Sequence, residues 1–499
     1  MSLQSFAYFG FLALTALLYL HLPRRLQPPF LLAVSWLFYA AAMPAMLPLL
    51  LALCAFTYGC GRGLEGAHKK AFLRLGVIGS LAVLAFFKYV NLLARLLPWG
   101  LRLPAVALPL GISFYTFAAI SYLVDAARGD CPVEHSFVRC ALFLSLFATV
   151  TQGPICRAGR LLPQFGAEHR FDAARCTRAL RLFALGLFKT VAVSDVLGVL
   201  VDNIFAHYAA YGGLTLLLGA VGYTLQLYFN FSGYSELARA SGLLLGLELP
   251  ENFKTPLFST NFSELWSRWH ISFSSWLQDY LFTPLVWADL EGPTHGKLRR
   301  LPPLLCIFVV FFVSGFWHGS TLPFIVWGLL QAVYRVGEEL LHRRFGKPKK
   351  RIPALRAWGK RCVVFVLWCI GMVFFRIGMG PNPAPLGAAD AVRFLCGCVR
   401  ALSPVRFAGE VYAALYADFY AHGLMIALYL AFLCAALIFA FWLDCRRCFA
   451  YKNQPAELAL AAEKHRMLLY WLLVAFILVG FILQSGGFGA SGFGMYAGF

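Results

Sequence analysis

The chain has 499 residues, of which 60% are hydrophobic and only 13% are charged, and its formal net charge is +20. A soluble protein of this length needs more polar surface to cover its core, so this composition excludes a soluble globular protein and fits a lipid environment. Membrane strands would alternate lipid-facing and lumen-facing residues, and the sequence lacks that alternation. We therefore predict an all-α polytopic membrane protein.

Apolar stretches long enough to cross a bilayer as helices recur along the chain. Because some of them are short or broken, we expect about 11 transmembrane helices. The candidate spans are residues 6–22, 28–43, 44–60, 75–97, 105–124, 136–152, 178–204, 213–229, 303–316, 322–340, 361–377, 421–443 and 467–484.

The distribution of cations predicts the topology. The first apolar run has no basic residue before it and is followed by Arg24 and Arg25, which is the reverse of a secretory signal. Since cationic loops stay in the cytoplasm, we expect an extracytoplasmic N-terminus. The loops predicted to be cytoplasmic are 62–74, 297–300, 343–361 and 446–466.

This topology accounts for most of the positive charge. Such a surface also attracts anionic lipid headgroups or a polyanionic substrate. Nucleic acid is not an expected partner, because the cations lie in short loops between spans and not on a separate domain.

No internal repeat or soluble domain interrupts the chain, so residues 1–499 are predicted to form a single membrane domain. Residues 378–420 form the one long loop that we place outside, with a short surface helix in it. Cys445 and Cys448 have no second pair of ligands in their loop, so no metal site is predicted.

Residues 228–285 are too polar for a lipid-facing span and too apolar for a soluble loop. Such a segment lies on the interface or re-enters the membrane. Asn261 and Glu264 resemble a capping box, which predicts a helix from there to about Pro284. His270 lies beside the aromatic face of this helix and is a candidate functional residue. The alternative interpretation is an amphipathic interface helix on which His270 is merely solvated. The aromatic face comprises Trp266, Trp269, Phe273, Trp276 and Tyr280.

His318 lies in the apolar stretch "SGFWHGSTLPFIVWG" of residues 314–328. Gly315, Gly319 and Pro323 allow the chain to turn within the membrane, where an ionisable group indicates a functional site. A neutral histidine can remove a proton from a hydroxyl that attacks a thioester. The alternative is a structural histidine that is hydrogen-bonded to a neighbouring helix. Motifs of serine hydrolases, zinc proteases and ATPases do not accompany it.

Five ordered motifs identify a resemblance to the membrane-bound O-acyltransferase family, in particular to its bacterial branch of alginate O-acetyltransferase membrane subunits and teichoic acid D-alanyl transferases. They are "LPLGISFYTFAAISYLVDAARGD" (108–130), "QGPICRAGRLLPQF" (152–165), "FNFSGYSELARASGLLLGLELPENFKTPL" (229–257), "WSRWHISFSSWLQDYLFTPL" (266–285) and "FWHGSTLPFIVWG" (316–328). The motifs are concentrated in residues 105–335.

The resemblance implies a ring of helices with re-entrant or interfacial helices around a central funnel. It also implies that an acyl group passes from a cytoplasmic thioester to an acceptor outside. The near-invariant histidine of the family corresponds to His318, and its second histidine corresponds to His270. The chain departs from the family at Asn230, where many members have aspartate, and at Gln331 and Ala332, where many have histidine and glycine.

Further substrate-binding residues follow from their position in these motifs. Trp317 and Trp269 are expected to line the acyl route, although aromatic stripes more often pack than bind. Asn230, Ser232 and Tyr234 offer hydrogen-bond donors for a developing oxyanion.

We therefore expect a multi-pass acetyltransferase of the bacterial inner membrane. It would take an acetyl group from cytoplasmic acetyl-CoA for O-acetylation of a cell-surface polysaccharide, with no bound cofactor. An extracytoplasmic hydrolase-like partner would complete the transfer, because the chain has no soluble catalytic domain.

Three alternatives remain from the sequence. The first is a D-alanyl transferase that uses a phosphopantetheinyl acyl carrier protein. The second is a polysaccharide or lipid transporter, although the repeat symmetry frequent in transporters is missing. The third is a scaffold subunit that would tolerate His318→Ala.

Overall fold

The computed structural model describes residues 2–96, 106–287, 301–346, 353–380, 386–416 and 422–485. Within these ranges the regular secondary structure is helical. The helices of the N-terminal half are α1 (Phe6–His21), α2 (Gln27–Ala42), α3 (Leu47–Gly63), α4 (Lys69–Leu96), α5 (Ile112–Arg128), α6 (Phe137–Ser145), α7 (Ala158–Phe165), α8 (Ala173–Leu187), α9 (Val196–Ala206) and α10 (Gly213–Leu244). Those of the C-terminal half are α11 (Phe262–Arg268), α12 (Ile271–Leu277), α13 (Thr283–Val286), α14 (Pro303–His318), α15 (Leu322–Phe345), α16 (Ala354–Met379), α17 (Ala388–Gly397), α18 (Pro404–Tyr416), α19 (Gly423–Cys445), α20 (Ala456–Ala462) and α21 (Arg466–Ser485).

Seven helical segments of the described chain are long and apolar enough to cross a bilayer, and α1 and α14 are shorter apolar helices. The seven are Pro44–Gly63, Lys69–Leu92, Ala173–Ala206, Gly213–Leu244, Ala354–Met379, Gly423–Ala450 and Arg466–Gln484. The class of all-α polytopic membrane protein is thus confirmed. The count of about 11 transmembrane helices stays a prediction.

The interior of the molecule is formed by α10 and by the segment Ala173–Ala206. In that segment, 89% of the most apolar stretch is buried, whereas only 17% is buried in Lys69–Leu92. A π-helix, Phe188–Asp195, joins α8 to α9 and carries Lys189 into the interior. π-helical turns of this kind occur frequently at functional sites.

The structure corrects the interpretation of residues 228–244, which were expected to leave the span at residue 229. They continue α10 as one helix of 32 residues. Its polar residues are tolerated because other helices surround them and supply partners. Lys189 Nζ, for example, donates hydrogen bonds to Glu236 at 2.8 Å and to Ser232 at 3.0 Å.

The loops at one end of the helices carry several of the cations predicted to be cytoplasmic. Arg447, just after α19, forms an ion pair with Glu251 in the segment that follows α10. Arg361, near the start of α16, donates its Nε to the carbonyl oxygen of Phe258 at 3.0 Å. These contacts place the basic ends of α16 and α19 at the same end of the molecule, which we call the basic end. The clusters 297–300 and 347–351, and the tail 486–499, lie outside the described residues.

The opposite end is closed by other contacts. Arg376, near the end of α16, donates to Asp202 of α9 at 2.9 Å. The Tyr208 hydroxyl donates to Asp390 of α17 at 2.7 Å. A single short helix was expected within residues 378–420, but the described part of this range contains two, α17 and α18, because both present apolar side chains that pack against the bundle.

Candidate active site

His318 is the last residue of α14, and a close helix contact holds it inside the protein. A Cβ atom on Gly315 would lie 2.9 Å from the Cα atom of Gly328, so α14 and α15 meet with almost no side chain between them. Small residues permit such close contacts between membrane helices. His318 is consequently only 5% exposed, and the turn that follows it occupies residues 319–321.

Aromatic rings surround the His318 imidazole. The ring centroids of Trp317, Phe375 and Trp327 lie 4.5, 4.9 and 5.0 Å from its own. Water is largely excluded from such a box, which strengthens electrostatic interactions with any group that enters it. The imidazole therefore has the surroundings of a reactive group that is shielded from bulk solvent.

His270 lies close to His318, with Phe273 between them. The His270 ring is stacked on Phe273 at 5.0 Å, and Phe273 is 6.1 Å from the His318 ring and 4.3 Å from that of Trp317. The edge of Phe231 packs against the other side of His270 at 4.6 Å. The structure thus brings together the two histidines that the sequence singled out, and buries both of them.

The backbone at His270 is not helical, contrary to the prediction of one helix from Asn261 to about Pro284. Asn261 does cap α11 by accepting a hydrogen bond from Glu264 N at 2.7 Å. The helix then stops, and His270 adopts the left-handed conformation with φ 45° and ψ 52°. Helix α12 starts at the next residue. The histidine therefore lies at the break between two short helices.

A neighbouring segment explains why the helix breaks there. In a continuous helix, Ser272 N would donate to Arg268 O. Instead, Ser272 N donates to Asn252 Oδ1 at 3.0 Å, and Arg268 O accepts from Lys254 N at 3.0 Å. Ile271 N donates to the carbonyl oxygen of Asn252 at 3.0 Å. The segment 252–254 thus takes over the hydrogen bonds of the broken turn.

The predicted substrate-binding residues occupy different places. Asn230 is buried, and its Oδ1 has no hydrogen-bond partner within the described residues. Ser232 accepts its hydrogen bond from Lys189, whereas the Tyr234 hydroxyl lies 2.6 Å from the hydroxyl of Ser2. These contacts direct Ser232 towards the polar interior and Tyr234 towards the segment before α1. Trp317 contacts His318 directly.

Trp269 is buried in a separate aromatic cluster. Its ring is 5.1 Å from that of Trp368 and 5.2 Å from that of Phe253. It packs where α11 ends, so its contacts are those of a structural side chain next to the histidine.

Two residues of this region were missed by the sequence analysis. Asn252 gave no signal, because asparagine is common in loops. Lys88 could have been found from the sequence, because a lysine far inside the apolar helix α4 indicates a functional site. Its Nζ lies 4.8 Å from the centroid of the Trp317 ring.

A cavity of about 750 Å³ opens at the basic end and reaches Ile271 and Ser272, directly after His270. Charged residues of both signs line its wall: the cations Arg157, Arg160 and Lys254, and the acids Glu248, Glu251 and Asp279. Arg157 is engaged with Asp279 at 2.8 Å, whereas Arg160 is exposed. The exposed Arg160 offers a positive charge at the mouth of the cavity, and the cavity provides a route to the broken helix.

Within the described ranges, no three histidine, cysteine, aspartate or glutamate side chains are grouped as metal ligands. The arrangement instead provides imidazole rings, a lysine amine and aromatic walls. Those groups can transfer protons and stabilise negative charge.

Comparison with known proteins identifies the class of enzyme. The model of the membrane-bound O-acyltransferase family, MBOAT, matches residues 112–379, which is more than half of the chain. The chain therefore belongs to this family and is an acyltransferase, which excludes the transporter alternative.

Individual relatives define the branch. The probable alginate O-acetylase AlgI of Azotobacter vinelandii is 36% identical over 384 residues, which cover 74% of this chain and 73% of that protein. The peptidoglycan O-acetyltransferase of Helicobacter pylori is 29% identical over 69% of this chain and 70% of its own length. The teichoic acid D-alanyltransferase of Bacillus subtilis is 27% identical over 53% of this chain and 68% of its own length. The resemblance to the alginate O-acetylase branch is thus confirmed.

Proposed function

We propose that this protein transfers an acetyl group from cytoplasmic acetyl-CoA across the membrane for O-acetylation of a cell-surface polysaccharide. The observation that carries the proposal is His318, buried in its aromatic box with His270 beyond Phe273, in a chain of the acyltransferase family. The relatives named as O-acetylases and O-acetyltransferases support acetyl as the acyl group.

The proposed reaction needs one proton acceptor. The hydroxyl oxygen of the acceptor attacks the thioester carbon, and His318 takes the hydroxyl proton. The tetrahedral intermediate then collapses, the carbon–sulfur bond breaks, and the proton passes to the departing thiolate. The products are an acetyl ester and free CoA. A positioned general base of this kind contributes roughly 10²–10⁴-fold to the rate.

The donor enters from the basic end in this proposal. Loops rich in lysine and arginine remain in the cytoplasm, so this end is cytoplasmic and the N-terminus is extracytoplasmic. The phosphates of CoA would lie near Arg160 and Lys254 at the mouth of the 750 Å³ cavity, and the thioester would extend towards Ile271. An extracytoplasmic hydrolase-like partner would receive the acetyl group on a serine and pass it to the glycan.

The proposal is tested with inside-out vesicles that contain the protein and its partner, supplied with acetyl-labelled CoA. We expect label on the partner or glycan with the wild type and none with His318→Ala. His207→Ala is a matched control, because His207 is an exposed histidine at the opposite end. Equal transfer by His318→Ala would refute the base mechanism and favour a scaffold.

The same vesicles distinguish the donors. Transfer from a D-alanyl carrier protein, with none from acetyl-CoA, would assign the chain the activity of its D-alanyltransferase relatives instead.

A further inference from the structure

Lys88 is a buried amine beside the proposed base. It lies 19 positions after Lys69, the first residue of α4, which at 1.5 Å per residue is about 28 Å along the helix. The Tyr89 hydroxyl donates to the carbonyl oxygen of Phe316 at 2.7 Å, and the side-chain rings of Tyr89 and Phe316 are stacked with their centroids 4.4 Å apart. This contact fixes α4 against the end of α14 and holds Lys88 against Trp317.

The hydrogen-bonding capacity of Lys88 is not used within the described residues. Its Nζ is buried, yet no acceptor of those residues lies within hydrogen-bond reach. The ammonium instead lies over the face of Trp317, at 4.8 Å from the ring centroid. Cation–π attraction compensates only part of the cost of burying a charge away from water.

The position of Lys88 also matters for His318. Trp317 lies against both residues, with its ring 4.5 Å from the His318 ring. The amine and the imidazole thus contact the same indole ring. Any substrate group that reaches His318 therefore enters the field of a cation whose donors are unused within the described residues.

We propose that Lys88 is a further functional residue of the acyl-transfer site, whose Nζ donates a hydrogen bond to the carbonyl oxygen of the acyl group. The inference rests on the proposed function. When the acceptor oxygen attacks the carbonyl carbon, the electron pair of the C=O bond moves onto this oxygen. Lys88 stabilises the resulting negative charge, and the pair returns to re-form C=O when the carbon–sulfur bond breaks. Lys88 keeps its proton throughout, while His318 carries the proton of the hydroxyl.

Lys88→Met removes the donor and keeps an unbranched side chain that is only one atom shorter. We expect kcat to fall about 10²–10³-fold, which is the loss seen when one donor to an oxyanion is removed. The KM for acetyl-CoA should change little, because the interaction strengthens in the tetrahedral intermediate. Lys70→Met is the matched control, since Lys70 is an exposed lysine on the same helix. If Lys88→Met does not accumulate as folded protein, Lys88→Gln takes its place with an expected loss in the same direction.

Binding of unreactive analogues provides a second readout that needs no turnover. One analogue has a methylene group in place of the thioester sulfur and keeps the carbonyl, whereas S-ethyl-CoA lacks the carbonyl. We expect the wild type to prefer the carbonyl analogue by about tenfold, and Lys88→Met to lose that preference. The same preference in both proteins, or a kcat of Lys88→Met within twofold of the wild type, would overturn the assignment. If His318→Ala is inactive and Lys88→Met is fully active, only the role of Lys88 is refuted. If His318→Ala is active, the proposed function is refuted.

Discussion

Asn252 Oδ1 accepts a hydrogen bond from Ser272 N at 3.0 Å and so replaces a bond that a continuous helix would make. The Nδ2 of the same side chain donates to Ser235 Oγ of α10 at 3.1 Å. Ser272 Oγ in turn accepts from Ile155 N at 3.1 Å. One amide thus joins the central helix to the residues that follow His270.

We expect Asn252→Ala to lower the rate of transfer by at least about tenfold, because it frees the backbone on which His270 is held. Leaving Ser272 N without an acceptor costs about 1–3 kcal/mol of stability. Initial rates in vesicles and thermal unfolding in detergent measure the two effects. Asn252→Asp keeps an acceptor for Ser272 and should retain more activity. A wild-type rate for Asn252→Ala would show that the hydrogen bonds of Asn252 are dispensable.

The left-handed backbone of His270 allows its ring and its conformation to be tested separately. Asparagine tolerates this region better than alanine, for which it costs roughly 1–2 kcal/mol. We expect His270→Asn to unfold near the temperature of the wild type and His270→Ala to unfold at a lower one. Both should lose most transfer activity if the imidazole is required. An active His270→Asn would mean that only the backbone turn matters.

The glycine contact between α14 and α15 predicts a strong effect of a single methyl group. A Cβ on Gly315 would lie 2.6 Å from Phe324 O and 2.9 Å from Gly328 Cα, whereas one on Gly337 would meet nothing within 4 Å. Gly315→Ala should therefore destabilise the protein by about 1–3 kcal/mol and displace His318, with loss of transfer. Gly337→Ala on α15 should change neither quantity. Equal behaviour of the two variants would contradict the close packing.

The buried pair of Lys189 and Glu236 predicts a non-additive pair of substitutions. Their side chains are only 2% and 6% exposed, with Nζ and Oε1 2.8 Å apart. Lys189→Met leaves a buried carboxylate without its partner, which costs roughly 3–5 kcal/mol. Adding Glu236→Gln should restore part of the stability, although Asp444, 4.0 Å from Lys189 Nζ, keeps the recovery incomplete. Unfolding measurements on the two single variants and the double variant test this, and simple addition of the losses would argue against a coupled pair.

The cations at the mouth of the cavity predict an effect on the donor KM. Arg160→Gln and Lys254→Gln should each raise the KM for acetyl-CoA about two- to fivefold, as expected for charges that water reaches, and leave kcat unchanged. The effect should shrink at high salt, because the charges are screened. Arg170→Gln is a suitable control, since Arg170 pairs with Glu168 and does not line the cavity. Unchanged KM values would place the CoA phosphates elsewhere.

The sequence by itself determined the class of the protein and singled out His270 and His318, which the structure brings together. Long apolar stretches indicate directly that a chain is embedded in lipid, since no soluble fold can cover so much apolar surface. An ionisable ring such as His318 in an apolar run is costly and is therefore conspicuous without any structure. The capping of α11 by Asn261 could also be predicted, because it involves only residues that are three positions apart in the sequence.

Only the tertiary structure decided how these parts act together. The break at His270 depends on hydrogen bonds that Asn252 accepts and Lys254 donates, some 16 to 18 positions away, and no local pattern predicts it. The buried polar half of α10 was read as an interface because its partner charge, Lys189, lies on another helix. Lys88 reaches Trp317 across more than 200 residues of chain. Periodicity reports which solvent a face meets, but the partner of a buried polar group is set by long-range packing.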